Sequence, residues 1–536
     1  MQLPVFLYQT REAVFFQATT QKMEKIILSI LKKLCLILVL CLLLAGCAPT
    51  QTPTATTPTC ADGHIDAAND GFCDRCSEFL LVMVDFYALN DIHGKLADAN
   101  THPGLDELST YLENAKKSDD HAIFLNAGDM WQGASESNLT HGRIMVDWMN
   151  EMGFAAMAIG NHEYDWGESP IEENSKFAEF PFLAINIYER ATNQQVSYCK
   201  SSTMVDLGQI QIGIIGAVGD CYSSISADKV TDIYFKTGSE LTQLVKRESD
   251  KLHEAGADFI VYLLHDGLGS NKSGSVSDSM LKSYYDPSLS DGYVDLVFEG
   301  HTHRKYVLTD SYGVYHLQGG GDNDGITHAE VAINIATGKA SVQAAELVDT
   351  RVYAHEEDHP IVDELLNKYA DQVDKGNEVL GTNKFNRNNK YMQQLVADLY
   401  YQAGVEIWGD QYDIALGGGF ISIRDPGYLA AGEVTYKMLY SLFPFDNQLV
   451  LCSIKGGDLL DRFYNTTNNR YFISYGDYGQ YLEQNIDYNE TYYVVVDSYS
   501  SLYGPNKLTE IARYDADVYA RDLLAQYAKN GGFENY

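Results

Sequence analysis

Basic residues are scarce: 38 Lys and Arg against 74 Asp and Glu give the 536-residue chain a formal charge of −36. So acidic a surface excludes a protein that grips a nucleic-acid polymer, which needs a basic face to displace the counterions of the phosphates. It does not exclude a small anionic substrate, provided that metal ions or a few arginines reverse the field locally. Long apolar runs are missing too. The run from Leu34 to Ala45 falls short of the roughly 18 residues that mark a membrane-spanning helix. No repeat with a period of roughly 20–50 residues is present, which excludes a solenoid. What remains is globular: hydrophobic residues make up 45%, and the length implies two to four domains of roughly 150 residues each.

Cysteine is confined to nine positions, six of them before residue 77. Lys25, Lys32 and Lys33 precede the apolar run, and Leu44-Ala45-Gly46-Cys47 closes it. A basic start, a short apolar core and small residues describe a secretory signal over residues 1–46, with Met23 a candidate true start. Leu-Ala-Gly-Cys resembles a bacterial lipobox, which implies cleavage before Cys47 and lipidation of its thiol; an uncleaved anchor is the plainer alternative. The Pro/Thr-rich residues that complete 47–59 form a tether that cannot build a core. Together these features predict an extracytoplasmic protein, anchored to the bacterial cell membrane as a lipoprotein. Within residues 60–80, Cys60, His64, Cys73 and Cys76 present thiolate and imidazole ligands suited to a closed zinc site. A disulfide between two of these cysteines is the alternative in an oxidising compartment.

From residue 81 onward, apolar runs alternate with amphipathic segments. VMVDFYALND, AIFLNAGD, FAAMAIGN, IQIGIIGAVG, DFIVYLLHDG and VDLVFEGHTH read as buried strands, and GLDELSTYLENAKKS and SELTQLVKRESDKLHEAG as helices. The alternation predicts an α/β domain over 81–350. HEEDHPIVDELLNKYADQVDKG predicts a linker helix within 351–380, and YDIALGGGF, QLVLCSI and TYYVVVDSY mark a second mixed region over 381–536.

Five strand ends in the first region carry the same kind of cargo. NDIHG supplies Asp91 and His93, NAGD supplies Asp129, GNHE supplies Asn161 and His162, LLHDG supplies His265, and GHTH supplies His301 and His303. In an open α/β sheet, ligands collect outside the carboxyl ends of the strands, where these side chains would converge. Imidazoles and carboxylates suit first-row divalent cations, and Mn, Zn, Fe or Co all fit the ligand types. A single His-x-His is more often structural than ligating, but five such fragments, each after an apolar run, point to a dinuclear metal site.

The series D-x-H, GD, GNH(E/D), H and GHxH resembles the calcineurin-like metallophosphoesterases, and within them the 5′-nucleotidase, UDP-sugar hydrolase and 2′,3′-cyclic phosphodiesterase branch. The resemblance implies a four-layer αββα sandwich, a linker helix and a smaller α+β substrate-binding domain. It implies that Asp91, His93 and His303 hold one cation, that Asn161, His265 and His301 hold the other, and that Asp129 bridges them. His162 would meet the departing oxygen of a phosphate ester, with Asp165 holding its tautomer; Glu163 would have a supporting role.

In the second region, LGGGFISIR resembles the family's phosphate-binding loop, which nominates Gly418, Gly419 and Arg424. LFPFDN and DSYSSLYG nominate Phe445 and Tyr499 to stack on a nucleobase, with Tyr503 in reserve. Departures are visible: Leu416 stands where the family has Asn, two extra residues precede Arg424, and Tyr503-Gly504-Pro505-Asn506 replaces a late Gly-rich element. The leading expectation is a metal-dependent phosphoesterase acting on small nucleotides. Hydrolysis of 2′,3′-cyclic nucleotides or nucleotide sugars, a sulfur-ester hydrolase and a metal-containing binding protein are the rivals.

Overall fold

The computed structural model describes residues 64–68, 70–97, 103–353, 359–424, 426–463, 471–474, 486–503, 506, 508–514 and 518–534. The signal region, Cys47, the tether and Cys60 lie outside the described residues. Of the described residues, those within 65–73 and 78–534 belong to one compact unit and His64 with residues 74–77 to another; the fold that follows is that of the first-named unit.

Two sheets face each other through its amino-terminal part. One has six strands in the order Ala340–Asp349, Gly325–Asn334, Leu81–Leu89, Ala122–Asn126, Ala156–Ala158 and Phe182–Leu183. The other has seven, in the order Lys272–Ser275, Lys305–Thr309, Tyr315–Gly319, Leu296–Glu299, Phe259–His265, Gln211–Val218 and Ser202–Asp206. The central strands pair in parallel, Leu81–Leu89 with Ala122–Asn126 in one sheet and Gln211–Val218 with Phe259–His265 in the other. Such strands are covered on both faces, which is why they read as nearly unbroken apolar runs. The layer between the sheets is dry: Val84, Phe86, Ala88, Ile123 and Leu125 meet Ile212, Ile214, Val261, Leu263 and Phe298, with Phe86 stacked on Phe259 at 5.9 Å.

The outer faces carry helices. Leu105–Ser118 buries Leu105, Leu108 and Leu112, a spacing of three and four that places them on one side. Gly238–Glu254 buries Val245, Ser249 and Leu252. The architecture is the four-layer αββα sandwich that the family resemblance implied, within the α/β class that the alternation of elements predicted.

Helix Ile361–Lys368 then crosses back over the sandwich. Lys368 Nζ and Tyr369 Oη both reach Asp147 Oδ2, whose other oxygen accepts from Arg143 Nε at 3.0 Å. The carboxyl-terminal part is built on a five-stranded sheet in the order Tyr471–Ser474, Ile414–Phe420, Thr491–Asp497, Leu449–Lys455 and Thr509–Arg513, packed on helix Asn389–Trp408.

Candidate active site

Five of the parallel strands in the two sheets lead at one edge into the candidate metal ligands. Asp91 follows the Leu81–Leu89 strand, Asp129 follows Ala122–Asn126, and Asn161 follows Ala156–Ala158; His265 ends its own strand and His301 follows Leu296–Glu299. The turns are strained. Asp91, His93, Asp129, His301 and His303 all have positive φ, between 52° and 67°. A non-glycine residue held there costs about 1–3 kcal/mol, a burden that functional sites commonly carry. Glycines allow the close approach: a Cβ on Gly128 would lie 2.4 Å from His265 Nδ1, and one on Gly160 2.3 Å from Asp129 Oδ1.

The side chains converge into two groups. Asp91, His93 and His303 form one; His303 Nε2 is 3.3 Å from Asp91 Oδ1 and 3.1 Å from His93 Nε2. Asn161, His265, His301 and Asp129 form the other. His265 Nε2 is 3.1 Å from both Asn161 Oδ1 and Asp129 Oδ2, and His301 Nδ1 is 2.8 Å from Asn161 Oδ1. Asp91 also lies within ligand distance of Asp129 and His265, so that the two groups adjoin.

The ring orientations suit a cation. His93 Nδ1 donates to the Gln132 carbonyl at 2.8 Å, and His265 Nδ1 to the Ala127 carbonyl at 2.7 Å. In its neutral form each imidazole then turns the lone pair of Nε2 into the cluster, His93 beside His303 and His265 beside the oxygens of Asn161 and Asp129. A divalent cation could be met there by nitrogen and oxygen lone pairs together. The donor set, imidazole, carboxylate and one neutral amide oxygen, is that of a divalent first-row cation. The residues fit the metals that the motif series implied.

Glu163 supports the cluster. Fully buried, it accepts from the backbone N–H groups of Gly160 (2.7 Å), Asp129 (3.0 Å), Met130 (2.8 Å) and Trp131 (3.3 Å). One carboxylate thus ties the turn bearing Asp129 to the turn bearing Asn161. Burial and the neighbouring Asp129 push its carboxyl up to about 7. Behind His301 and His303, Gln318 donates to the Gly300 carbonyl at 2.8 Å and accepts from Arg304 N at 2.7 Å.

His162 stands beside the cluster on a short 3₁₀ turn, His162–Tyr164. Its Nδ1 is 3.0 Å from Asp165 Oδ2, and its Nε2 faces Arg424 Nη2 at 3.4 Å. Burial works against its charged form, but Asp165 and Asp129 outweigh that and raise its pKa.

Arg424 arrives from the carboxyl-terminal part, as does Phe445, whose ring is 6.1 Å from that of His162 and 5.2 Å from the Arg424 guanidinium. Together these groups wall a cavity of about 340 Å3, lined among others by Asn161, His162, His301, Arg424, Phe420, Phe445 and Tyr499.

Two nominated residues are placed elsewhere. Gly418 and Gly419 lie within the Ile414–Phe420 strand, paired with Ile473 and Phe472, and do not line the cavity. Small residues are needed in this strand for packing: a Cβ on Gly417 would meet Tyr401 N at 2.2 Å, and one on Gly419 the Ser500 hydroxyl at 2.5 Å. Phe445 and Tyr499 both line the cavity, and the Tyr499 ring lies 6.2 Å from that of Phe420 and 4.7 Å from that of Tyr503, both tilted to it. Phe420 escaped the sequence reading because it follows the glycines that drew attention. Cys221 escaped as well; its Sγ donates to the His265 carbonyl at 2.8 Å and groups with His265 and His301, and no spacing in the sequence marks it. Of the candidate zinc module, His64 Nδ1 and Cys76 Sγ approach to 3.6 Å, and Cys73 is buried in the larger unit.

Comparison with known proteins agrees with this geometry. Residues 84–305 match the calcineurin-like phosphoesterase family and residues 375–482 the 5′-nucleotidase carboxyl-terminal domain. The chain is 27% identical over 427 residues to Protein UshA of Yersinia enterocolitica, covering 69% of this chain and 74% of that one. In fold it is similar to a 5′-nucleotidase precursor from Thermus thermophilus, with a TM-score of 0.60 and 19% identity over 84% of this chain and 96% of that one. It is also similar to the sulfate thiohydrolase SoxB of Thermus thermophilus, with a TM-score of 0.59 and 15% identity over 84% and 94%. The chain belongs to the calcineurin-like phosphoesterases that carry a 5′-nucleotidase carboxyl-terminal domain, and it is a metal-dependent phosphoric ester hydrolase.

Proposed function

We propose that the protein removes phosphate from small nucleotides outside the cytoplasm, as a 5′-nucleotidase with two divalent cations. The observation that carries this reading is the shared cavity, in which metal-binding side chains and His162 meet Arg424 and the aromatic rings of the carboxyl-terminal part. Asp91, His93 and His303 would hold one cation and Asn161, His265 and His301 the other, with Asp129 between them. When bound, the cations supply Lewis acidity to the phosphoryl group and to the attacking water.

The chain's own residues do the rest. Arg424 offers charge-assisted hydrogen bonds to the phosphoryl oxygens. Asp165 fixes the His162 ring through Nδ1, so that Nε2 carries the proton delivered to the departing ester oxygen. Phe445, Tyr499 and Phe420 supply aromatic faces for the base, a contact that tolerates different bases. A sulfur ester without a base would have no use for this aromatic wall, so the wall, rather than the metal cluster, favours a nucleotide.

The proposed boundaries are a catalytic domain over 81–350, a linker helix within 351–380 and a substrate domain over 381–536. A signal ending before a lipidated Cys47, followed by a tether, would hold the enzyme at the outer face of the bacterial membrane. The test is phosphate release from AMP, 2′,3′-cyclic AMP and UDP-glucose by metal-stripped enzyme resupplied with Mn²⁺ or Zn²⁺. Metal-dependent turnover of AMP supports the reading. Turnover of another panel member alone reassigns the substrate, and silence despite bound metal removes nucleotides from consideration.

A further inference from the structure

The segment between helix Tyr436–Leu442 and strand Leu449–Lys455 belongs to neither element, yet Phe443, Phe445, Asp446 and Asn447 all line the cavity. Pro444 in its middle has no N–H to donate. Something other than a helix or a ladder must hold it in place. Arg521, in the first turn of helix Ala520–Lys529, reaches it from behind. Its Nη1 donates to the Phe445 carbonyl at 3.1 Å and its Nη2 to the Asp446 carboxylate. The guanidinium lies 3.9 Å from the centroid of the Tyr440 ring and 4.5 Å from that of Tyr519. Its side chain is 4% exposed, and the arginine itself does not border the cavity.

We propose that Arg521 is a positioning residue for recognition of the nucleoside: by holding the Phe445 carbonyl and the Asp446 carboxylate together, it sets where the Phe445 ring stands. The inference rests on the nucleotide reading and deepens it. A planar fork can bond two acceptors at once and lie flat against tyrosine rings; a lysine ammonium is a point charge that does neither well. The metal cluster and His162 stand on the other sheets and share no hydrogen bond with Arg521. Loosening the segment therefore weakens base stacking first and reaches the reacting end only through the contacts of the Phe445 ring with His162 and Arg424.

The experiment compares AMP with ribose 5-phosphate, the same ester without a base, on the full-length metal-loaded enzyme. Wild type, Arg521→Lys, Asp446→Asn and Phe445→Ala are assayed for KM and kcat, alongside thermal unfolding and metal content. Arg521→Lys is expected to raise KM for AMP about tenfold, the loss of part of one stacking contact, with kcat held and ribose 5-phosphate unaffected. Asp446→Asn moves AMP in the same direction by less, and it carries the test if Arg521→Lys fails to fold. An equal loss of kcat on both esters overturns the proposal, as does an unchanged KM for AMP in Arg521→Lys when Phe445→Ala raises it. An unchanged KM in Phe445→Ala as well sinks the nucleotide reading, and the proposal falls with it.

Discussion

The two walls of the cavity are made in different ways. On the sandwich side, every candidate group sits at or within a few residues of a strand end, and most stand on turns with a strained backbone. Asp91, Asp129 and His301 are examples, each with positive φ. On the carboxyl-terminal side, Phe445 and Tyr499 sit beyond strand ends on short segments, and buried arginines hold the main chain by its carbonyls. Arg521 does so at Phe445; Arg462 does so at Tyr499's neighbours, through the Ser500 and Tyr503 carbonyls. A cation tolerates little error in ligand position, so its ligands grow from the most rigid edge available. A stacked base tolerates sliding, and a wall hung on side chains suffices.

Breaking the rigid wall should cost most. His162→Ala is expected to lower kcat by about 10²–10⁴, the range for a lost general acid, while metal content and unfolding temperature stay as in wild type; loss of metal would contradict the separation of His162 from the ligand cluster. Glu163→Gln turns an amide NH2 toward two of the four backbone donors that the carboxylate accepts from. It should weaken metal affinity by about 10–100-fold, as loss of a group behind the ligands does, in a titration of bound Mn²⁺; unchanged affinity would mean that the two turns hold each other without it. From the other wall, Arg424→Ala should lower kcat/KM about tenfold, the worth of a charge-assisted hydrogen bond, with metal content unaltered.

The smallest effect concerns the joint between the two parts. Burial works against the Asp147 carboxylate, but Lys368, Tyr369 and Arg143 hold its pKa below the ordinary value of 3.8. A depressed carboxyl contributes stability above its unfolded pKa and loses it as pH falls through the folded one. Asp147→Asn should therefore cost about 1 kcal/mol near neutral pH, a modest figure because Lys368 is half exposed. The difference from wild type should vanish in acid below that carboxyl range. A cost independent of pH, followed by thermal unfolding, would assign the effect to packing instead.

Much of the sandwich was readable before any coordinates. The Leu81–Leu89, Gln211–Val218 and Phe259–His265 strands read as apolar runs because both faces are covered, and the first and third end in the motifs they present. The edge strands were harder. Ala340–Asp349 is largely exposed and mixes Ala, Gln and Glu, so neither burial nor alternation marks it. In the carboxyl-terminal part, three glycines suggested a phosphate loop but lie in a strand, because packing against Tyr401 and Ser500 demands small residues as firmly as an anion does.

The sequence alone therefore determined the fold class, the metal-binding residue types and the His162–Asp165 pair. Each of these is local: a strand, its end and the few residues that follow. Only the tertiary structure decided which ring faces Tyr499, that Glu163 joins two turns, that Cys221 approaches the cluster and that Arg521 stands behind Phe445. Those relations join residues 34 to 79 positions apart through side chains and carbonyls. No periodicity records such a contact, because it depends on where separate elements pack and not on what either one is.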